Sequence, residues 1–299
     1  EVEDLDVKQF MADCKALHAE AIVFSTGGPY AFYNTKVPYH KKRPHMGYRD
    51  LLKEVVEEAE KEDIRVIARL DFSISNEEVL NEKPEWFFRD LEGNLSEKRS
   101  ATGERFIRTD MLEGYRNEEV AIPILEEVCS KYDIAGVHLN APGFRARKFR
   151  KETTDKFGIP GDPVALQRWR EQRVAEQMLD YRKVIHEHRP GALFMAEINS
   201  PENPGWGSGR GFNHELLAGS YTNLLSTAGE PDDDEMYKLR WWTALSADWS
   251  HASNSALSGL PLINLKVGYQ DGKLTLKPVS DYQLNCYQAI AHNAGIKAP

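Results

Sequence analysis

The sequence predicts an α/β fold in which parallel strands and helices alternate to form a (β/α)8 TIM barrel. Short apolar runs alternate with long amphipathic segments along the chain, and no block of consecutive strands interrupts that order. The length of 299 residues fits one such barrel, which typically takes about 250 residues. Because no Ser/Gly-rich linker divides the chain, residues 1–299 are predicted to form a single domain.

Each predicted strand is a short apolar run, as expected where a parallel sheet is buried on both faces. The run 134–140 is the most informative, because it ends in His138 and Asn140 just before a Pro-Gly turn. A closed barrel needs eight strands, and only seven runs are found, so the first strand is expected before residue 1 or within the first few residues. The last run has no helix after it. The seven runs are 21–25, 64–72, 134–140, 192–199, 222–227, 262–267 and 296–299.

The segments between these runs have helical periodicity and supply the crossovers that parallel strands require. Six of them are predicted to be helices: 5–18, 48–62, 114–131, 165–188, 235–247 and 280–293.

Composition excludes several classes of partner. A net charge of −9 argues against nucleic acid or an anionic membrane surface as the main partner. No run approaches the roughly 18 apolar residues of a membrane span. The three cysteines are scattered and predict neither a zinc site nor a disulfide framework. No cofactor is implied, and the compartment and any homo-oligomer formation stay open.

Carboxylates at the ends of the predicted strands indicate the chemistry. In a parallel barrel, the loops after the carboxyl ends of the strands build the active site. Asp71, Glu197 and Glu230 follow three different strands. Glycosidic cleavage typically uses one carboxyl group as proton donor and a second as nucleophile or base. We therefore predict Glu197 as general acid/base and Asp71 or Glu230 as its partner, with retaining and inverting outcomes both open.

Polar and aromatic residues near the same strand ends suit a carbohydrate substrate, whose hydroxyl groups need hydrogen bonds and whose ring faces pack on aromatic rings. The candidates for substrate binding are Arg69, His138, Asn140, Tyr30, Tyr33, His40 and Trp206. Motifs for other chemistries are missing: the sequence has no phosphate-binding P-loop, no dinucleotide fingerprint and no Gly-x-Ser-x-Gly elbow. His186 and His188 cannot share one helix face, so no metal site is predicted. An isomerase or aldolase barrel would need a strand-end lysine, for which Lys266 is the candidate.

Several segments also resemble a known family. They are 27–40, 49–52, 67–73, 84–93, 132–140 and 287–295. Together they resemble the hypothetical glycosyl hydrolase 6 group, barrels related to the family 29 and family 151 α-L-fucosidases and to the family 42 β-galactosidases. The resemblance implies a carbohydrate-active (β/α)8 barrel with its first strand upstream.

The chain departs from its relatives at Asn140. The resemblance implies a nucleophilic Asp at the end of this strand in fucosidase-like barrels, and an Asn-Glu pair in family 42, but here Asn140 is followed by Ala141. Two alternatives stay open. Either the carboxylates lie on other strands, or the protein is a non-catalytic carbohydrate-binding barrel or a scaffold domain of a larger carbohydrate-active protein.

Overall fold

Helices and parallel strands alternate in the computed structural model, which describes residues 4–100, 103–144, 148–198, 209–219, 225–226, 241–253, 263, 266–270, 273–276 and 278–297. The strands are β1 (Ala21–Gly27), β2 (Arg65–Leu70), β3 (Ile74–Ser75), β4 (Glu97–Arg99), β5 (Arg105–Arg108), β6 (Gly136–Leu139), β7 (Leu193–Ile198), β8 (Leu225–Ser226), β9 (Lys266–Gln270) and β10 (Lys273–Leu276). The helices are α1 (Val7–Ala16), α2 (Leu51–Lys61), α3 (Glu77–Glu82), α4 (Ala121–Lys131), α5 (Lys151–Phe157), α6 (Pro163–His188), α7 (His214–Ala218), α8 (Trp242–Ser253) and α9 (Val279–Ala291).

Five strands form one parallel sheet in the order β1-β2-β6-β7-β8. Strands of this sheet that are consecutive in the chain are also neighbours in it. Helix α2 connects β1 to β2, α4 lies between β2 and β6 in the chain, and α6 lies between β6 and β7, as expected of βαβ units. The α/β class with a parallel sheet is therefore confirmed. Closure into a complete (β/α)8 barrel stays a prediction.

Short polar residues set the starts of the helices. Asp6, Asp50 and Asp162 each accept a hydrogen bond from a backbone N–H in the first turn of α1, α2 and α6. These caps satisfy donors that would otherwise lack partners, and they place each helix after its loop.

The sheet and its helices bury one large apolar core. Strand β6 approaches β7 so closely that a Cβ at Gly136 would lie 2.5 Å from the carbonyl oxygen of Leu193. On the outer side, α4 and α6 pack together through buried residues such as Leu125 and Tyr181. The core fixes the strands in register, and so it also fixes the side chains at their carboxyl ends.

Two regions differ from the sequence prediction. Between β2 and α4 the chain forms a small antiparallel sheet in the order β3-β5-β4, which was not predicted. At the second region, a parallel strand was predicted over 262–267, but Lys266 begins an antiparallel pair between β9 and β10. Ile263 nevertheless donates a backbone hydrogen bond to the Lys297 carbonyl at 2.9 Å, so the two last predicted runs do meet.

Candidate active site

Polar side chains from separate strands meet at the carboxyl ends of the parallel sheet. Arg69 near the end of β2 is in register with His138 on β6. Glu197 stands near the end of β7, and Asn140 directly follows β6. Together with Asp71 and Lys297, these residues are called the polar cluster below.

A chain of hydrogen bonds holds Asp71 in place. The Arg69 Nη2 atom donates to Asn140 Oδ1 at 2.5 Å, and Asn140 Nδ2 donates to Asp71 Oδ2 at 2.6 Å. The backbone N–H of Ser73 donates to Asp71 Oδ1 at 2.8 Å. Both carboxylate oxygens therefore accept hydrogen bonds, and Asp71 is only 9% exposed. Because Arg69 has only donors, the side-chain amide of Asn140 must present its oxygen to Arg69 and its nitrogen to Asp71.

Glu197 is the more open of the two carboxylates. Its Oε2 atom lies 3.8 Å from Arg69 Nη2, and its side chain is 32% exposed. The Arg69 guanidinium thus contacts Glu197 directly and Asp71 through Asn140. The two carboxylates, at the ends of β2 and β7 on either side of β6, are thus linked through Arg69 and Asn140, with Asp71 buried and Glu197 accessible.

His138 is fully buried and contacts a lysine that the sequence analysis did not single out. Lys297 Nζ lies 3.2 Å from His138 Nε2. Burial and, to a smaller extent, the positive charges of Lys297 and Arg69 lower the pKa of the imidazole to about 2. His138 is therefore neutral, and because an ammonium can only donate, Nε2 is the accepting nitrogen and the proton belongs on Nδ1.

Burial also lowers the pKa of Lys297, to about 8. Glu197 opposes this shift and Arg69 adds to it, so two other members of the polar cluster are close enough to act on this ammonium. The signal that could have revealed Lys297 is a charged residue inside the last predicted run, 296–299. The lysine considered instead, Lys266, starts the antiparallel pair.

Besides His138, the structure places two more of the predicted substrate-binding residues in the interior. Tyr33 is 0% exposed and His40 is 1% exposed. The hydroxyl of Tyr33 lies 3.4 Å from His40 Nδ1, and its ring meets that of Tyr132 edge to face at 5.6 Å. Burial lowers the pKa of His40 to about 4. These two side chains are part of the core around β1, and a saccharide could not reach them without unpacking it.

Tyr30 is half-buried at the edge of the loop after β1. Its ring lies 5.4 Å from the Arg43 guanidinium and meets Phe106 edge to face at 6.3 Å. Glu230 and Trp206 lie outside the described residues, so their predicted roles are unchanged.

Two more arginines lie around the polar cluster. Arg116 is buried, donates through Nε to Thr109 Oγ1 at 2.9 Å and through Nη1 to the Gly143 carbonyl at 3.2 Å, and acts electrostatically on Asp71. Burial lowers the pKa of Arg210, whereas Glu197 raises it. Neither arginine was predicted as a site residue, because neither stands at the end of an apolar run; Arg116 ends the short 3₁₀ helix Gly114–Arg116.

A concave region lies at the opposite, amino-terminal ends of the strands. It is a cleft of about 340 Å³ between the starts of β2, β6 and β7, next to Arg65, Asp133 and Arg189. Asp133 and Arg189 form an ion pair with each other there. In parallel barrels this end is associated with stability rather than with catalysis.

Within the described ranges, no group of three or more His, Cys, Asp or Glu side chains could hold a metal ion. No helix in the described part of the chain is long and apolar enough to cross a membrane.

Comparison with known proteins supports the fold and the family resemblance. Residues 6–141 match the family described as hypothetical glycosyl hydrolase 6, which confirms the resemblance found in the sequence. A search of curated proteins gives no match to this sequence.

Solved structures of carbohydrate-active proteins are similar in fold. The α-L-fucosidase isoenzyme 2 from Paenibacillus thiaminolyticus is 16% identical with a TM-score of 0.73, covering 99% of this chain and 42% of its own. The glycoside hydrolase domain of PgaB (BpsB) from Bordetella bronchiseptica is 11% identical with a TM-score of 0.69, covering 98% and 87%. A β-galactosidase from Marinomonas ef1 is 11% identical with a TM-score of 0.67, covering 97% and 51%. The chain thus spans about half or less of the fucosidase and the galactosidase, and the likeness at these identities is one of fold.

Proposed function

We propose that this chain, whose residues 6–141 match hypothetical glycosyl hydrolase 6, is a glycoside hydrolase whose carboxylate pair is Glu197 and Asp71. The proposal includes a single (β/α)8 barrel domain over residues 1–299. The observation that carries it is one linked group at the carboxyl ends of the strands, in which Arg69 forms an ion pair with Glu197 and donates to Asn140, and Asn140 donates to Asp71.

Glu197 is assigned the role of general acid/base. Its side chain is accessible, so it can reach a glycosidic oxygen, and at 3.8 Å from Arg69 it forms an ion pair but not a hydrogen bond. A general acid must lie within hydrogen-bond reach of the leaving oxygen, and this is the described carboxylate in the polar cluster that is open enough to do so.

Asp71 is assigned the role of nucleophile or base. Both of its oxygens accept hydrogen bonds, which is the pattern of an ionised carboxylate held in one orientation. Asn140 stands at the position where the resemblance implies a nucleophilic Asp, and its amide donates to the neighbouring strand's carboxylate. We infer that the acid has moved from the end of β6 to the end of β2, with Asn140 as a positioning residue.

Substrate hydroxyl groups would be bound by the remaining donors of the polar cluster. Arg69 and Lys297 each present N–H groups next to Glu197, and Trp206 and Glu230 are the further candidates from the sequence. The finer activity is also a proposal: the substrate is an α-L-fucoside or a β-D-galactoside, the sugars named for the similar solved enzymes.

The test is release of 4-nitrophenol from a panel of aryl glycosides that includes both of these sugars. Glu197→Gln and Asp71→Asn are each expected to lower kcat by about 10²- to 10⁴-fold, the range for loss of one acid–base group. Glu57→Gln on the exposed face of α2 is the matched control and is expected to keep full activity.

Two results would contradict the proposal. One is undiminished turnover in both active-site variants. The other is a wild-type protein that binds saccharides in calorimetry and cleaves none of the panel, which would indicate the carbohydrate-binding barrel instead. The anomeric configuration of the first product, followed by NMR, distinguishes retention from inversion.

A further inference from the structure

Positive charge is concentrated at the polar cluster. Arg69 and Lys297 lie within it, and Arg210 is close enough for Glu197 to stabilise its charge. Glu197 interacts with all three cations, and the second carboxylate, Asp71, already accepts two hydrogen bonds. The described groups therefore carry more positive than negative charge at the place where a substrate would bind.

This local charge is opposite to that of the whole chain, which carries a net charge of −9. A uniformly acidic surface would repel an anion at long range, so a basic site in such a protein has to act locally through direct contacts. Neutral hydroxyl groups need donors and acceptors but do not need two or three formal positive charges.

Lys297 is held so that it can contact a ligand. One of its three N–H bonds points to His138 Nε2 at 3.2 Å, which leaves two for other partners. Among the described carboxylates, none forms an ion pair with Lys297. The neighbouring Arg69 divides its guanidinium between the Asn140 oxygen and a long contact with Glu197.

We propose that the polar cluster binds a saccharide carrying an anionic substituent, a carboxylate or a sulfate, through Lys297 and Arg69. The inference rests on the proposed function and deepens it by naming the substrate class. A charge-assisted hydrogen bond from these cations gives the selectivity for an acidic over a neutral sugar. The cations also offset the repulsion that Asp71 and Glu197 would exert on an acidic substrate.

The test compares binding of acidic and neutral sugars by titration calorimetry at low ionic strength. The acidic probes are glucuronate, galacturonate and galactose 6-sulfate, and the neutral ones are glucose and galactose. The wild type is expected to bind at least one acidic probe about 10-fold or more tightly than its neutral counterpart. Comparing the uronates with the sulfate shows which anionic group is recognised.

Lys297→Gln is expected to abolish this preference, and Lys297→Arg, which keeps the charge, is expected to retain it. Lys53→Gln is the control for the loss of one positive charge, since Lys53 is exposed on α2, and it should leave the preference unchanged. Circular dichroism of each variant shows that it is folded.

Equal or tighter binding of the neutral sugars overturns the inference, and so does a preference that survives in folded Lys297→Gln, or no binding at all. The same experiments distinguish failure of this inference from failure of the proposed hydrolase function. Cleavage of neutral aryl glycosides without any acidic preference leaves the hydrolase intact and removes the inference. Binding of acidic sugars without turnover of any glycoside supports the inference and contradicts the proposed hydrolase.

Discussion

Acid is expected to destabilise this protein through two buried neutral histidines. His40 and His138 are almost completely enclosed, and burial lowers their pKa values to about 4 and about 2. In the unfolded chain each imidazole returns to a pKa of about 6.5. Below pH 6.5 the unfolded state therefore binds protons that the folded state does not bind, so stability falls as pH falls.

The size of the effect follows from these values. Between pH 6.5 and pH 5, an interval of about 1.5 pH units, each histidine is protonated in the unfolded chain and neutral in the folded protein. At about 1.4 kcal/mol per unit, each loses about 2 kcal/mol of stability, and the pair loses about 4 kcal/mol. Typical domains have about 5–15 kcal/mol in total, so about a quarter or more of the stability would be lost.

The assay is urea denaturation at pH 7.5 and pH 5.0, on the wild type and on His40→Gln and His138→Gln. Each variant starts less stable, but its loss between the two pH values should be about 2 kcal/mol smaller than that of the wild type. His188→Gln, at the exposed end of α6, is the control and should lose as much as the wild type. If both buried-histidine variants lose as much stability as the wild type, this reasoning is wrong.

Three further predictions concern the sheet and the site. Gly136→Ala should lower the free energy of unfolding by about 2 kcal/mol or more in urea denaturation, because the new methyl group would lie 2.5 Å from the Leu193 carbonyl oxygen. An unchanged denaturation midpoint would contradict the described contact between β6 and β7. Asn140→Asp replaces a hydrogen-bond donor 2.6 Å from Asp71 with a second negative charge, so turnover at neutral pH should fall at least about 10-fold. A rise in kcat would contradict this and would show that a carboxylate at position 140 is the better nucleophile. Since the pKa of Lys297 is about 8, its charge is present at pH 7 and largely lost by pH 9. Calorimetry should therefore find acidic saccharides bound about 10-fold more weakly at pH 9 than at pH 7. An affinity that does not change with pH would exclude the Lys297 ammonium as the contact.

Much of the sheet could be predicted from the sequence, because a strand buried on both faces is largely apolar. The run 134–140 shows this, since β6 occupies Gly136–Leu139 within it. The antiparallel insertion between β2 and α4 could not be predicted in the same way. Its strand Glu97–Arg99 is short, charged and exposed, so it carries no hydrophobic pattern.

The site was predictable where it depends on strand ends. Arg69, His138, Asn140 and Glu197 were selected because the carboxyl ends of parallel strands share one edge, and the structure brings them together with Asp71.

Other site residues were beyond the sequence pattern. Tyr33 and His40 have the composition of a binding loop, yet the loop folds back and buries them, because aromatic residues suit a core as well as a rim. Lys297 was missed because its run is the last and the faintest. Its charge within that run was the available signal, but its partner His138 lies 159 residues away in the sequence, so the contact itself could not be predicted.

The most direct test of the account is a crystal structure of the protein soaked with a saccharide that it binds. Both proposals predict that the sugar lies at the carboxyl ends of β2, β6 and β7, within hydrogen-bond distance of Glu197 and Lys297. Density in the 340 Å³ cleft at the amino-terminal ends, next to Arg65 and Arg189, with the polar cluster empty, would contradict it.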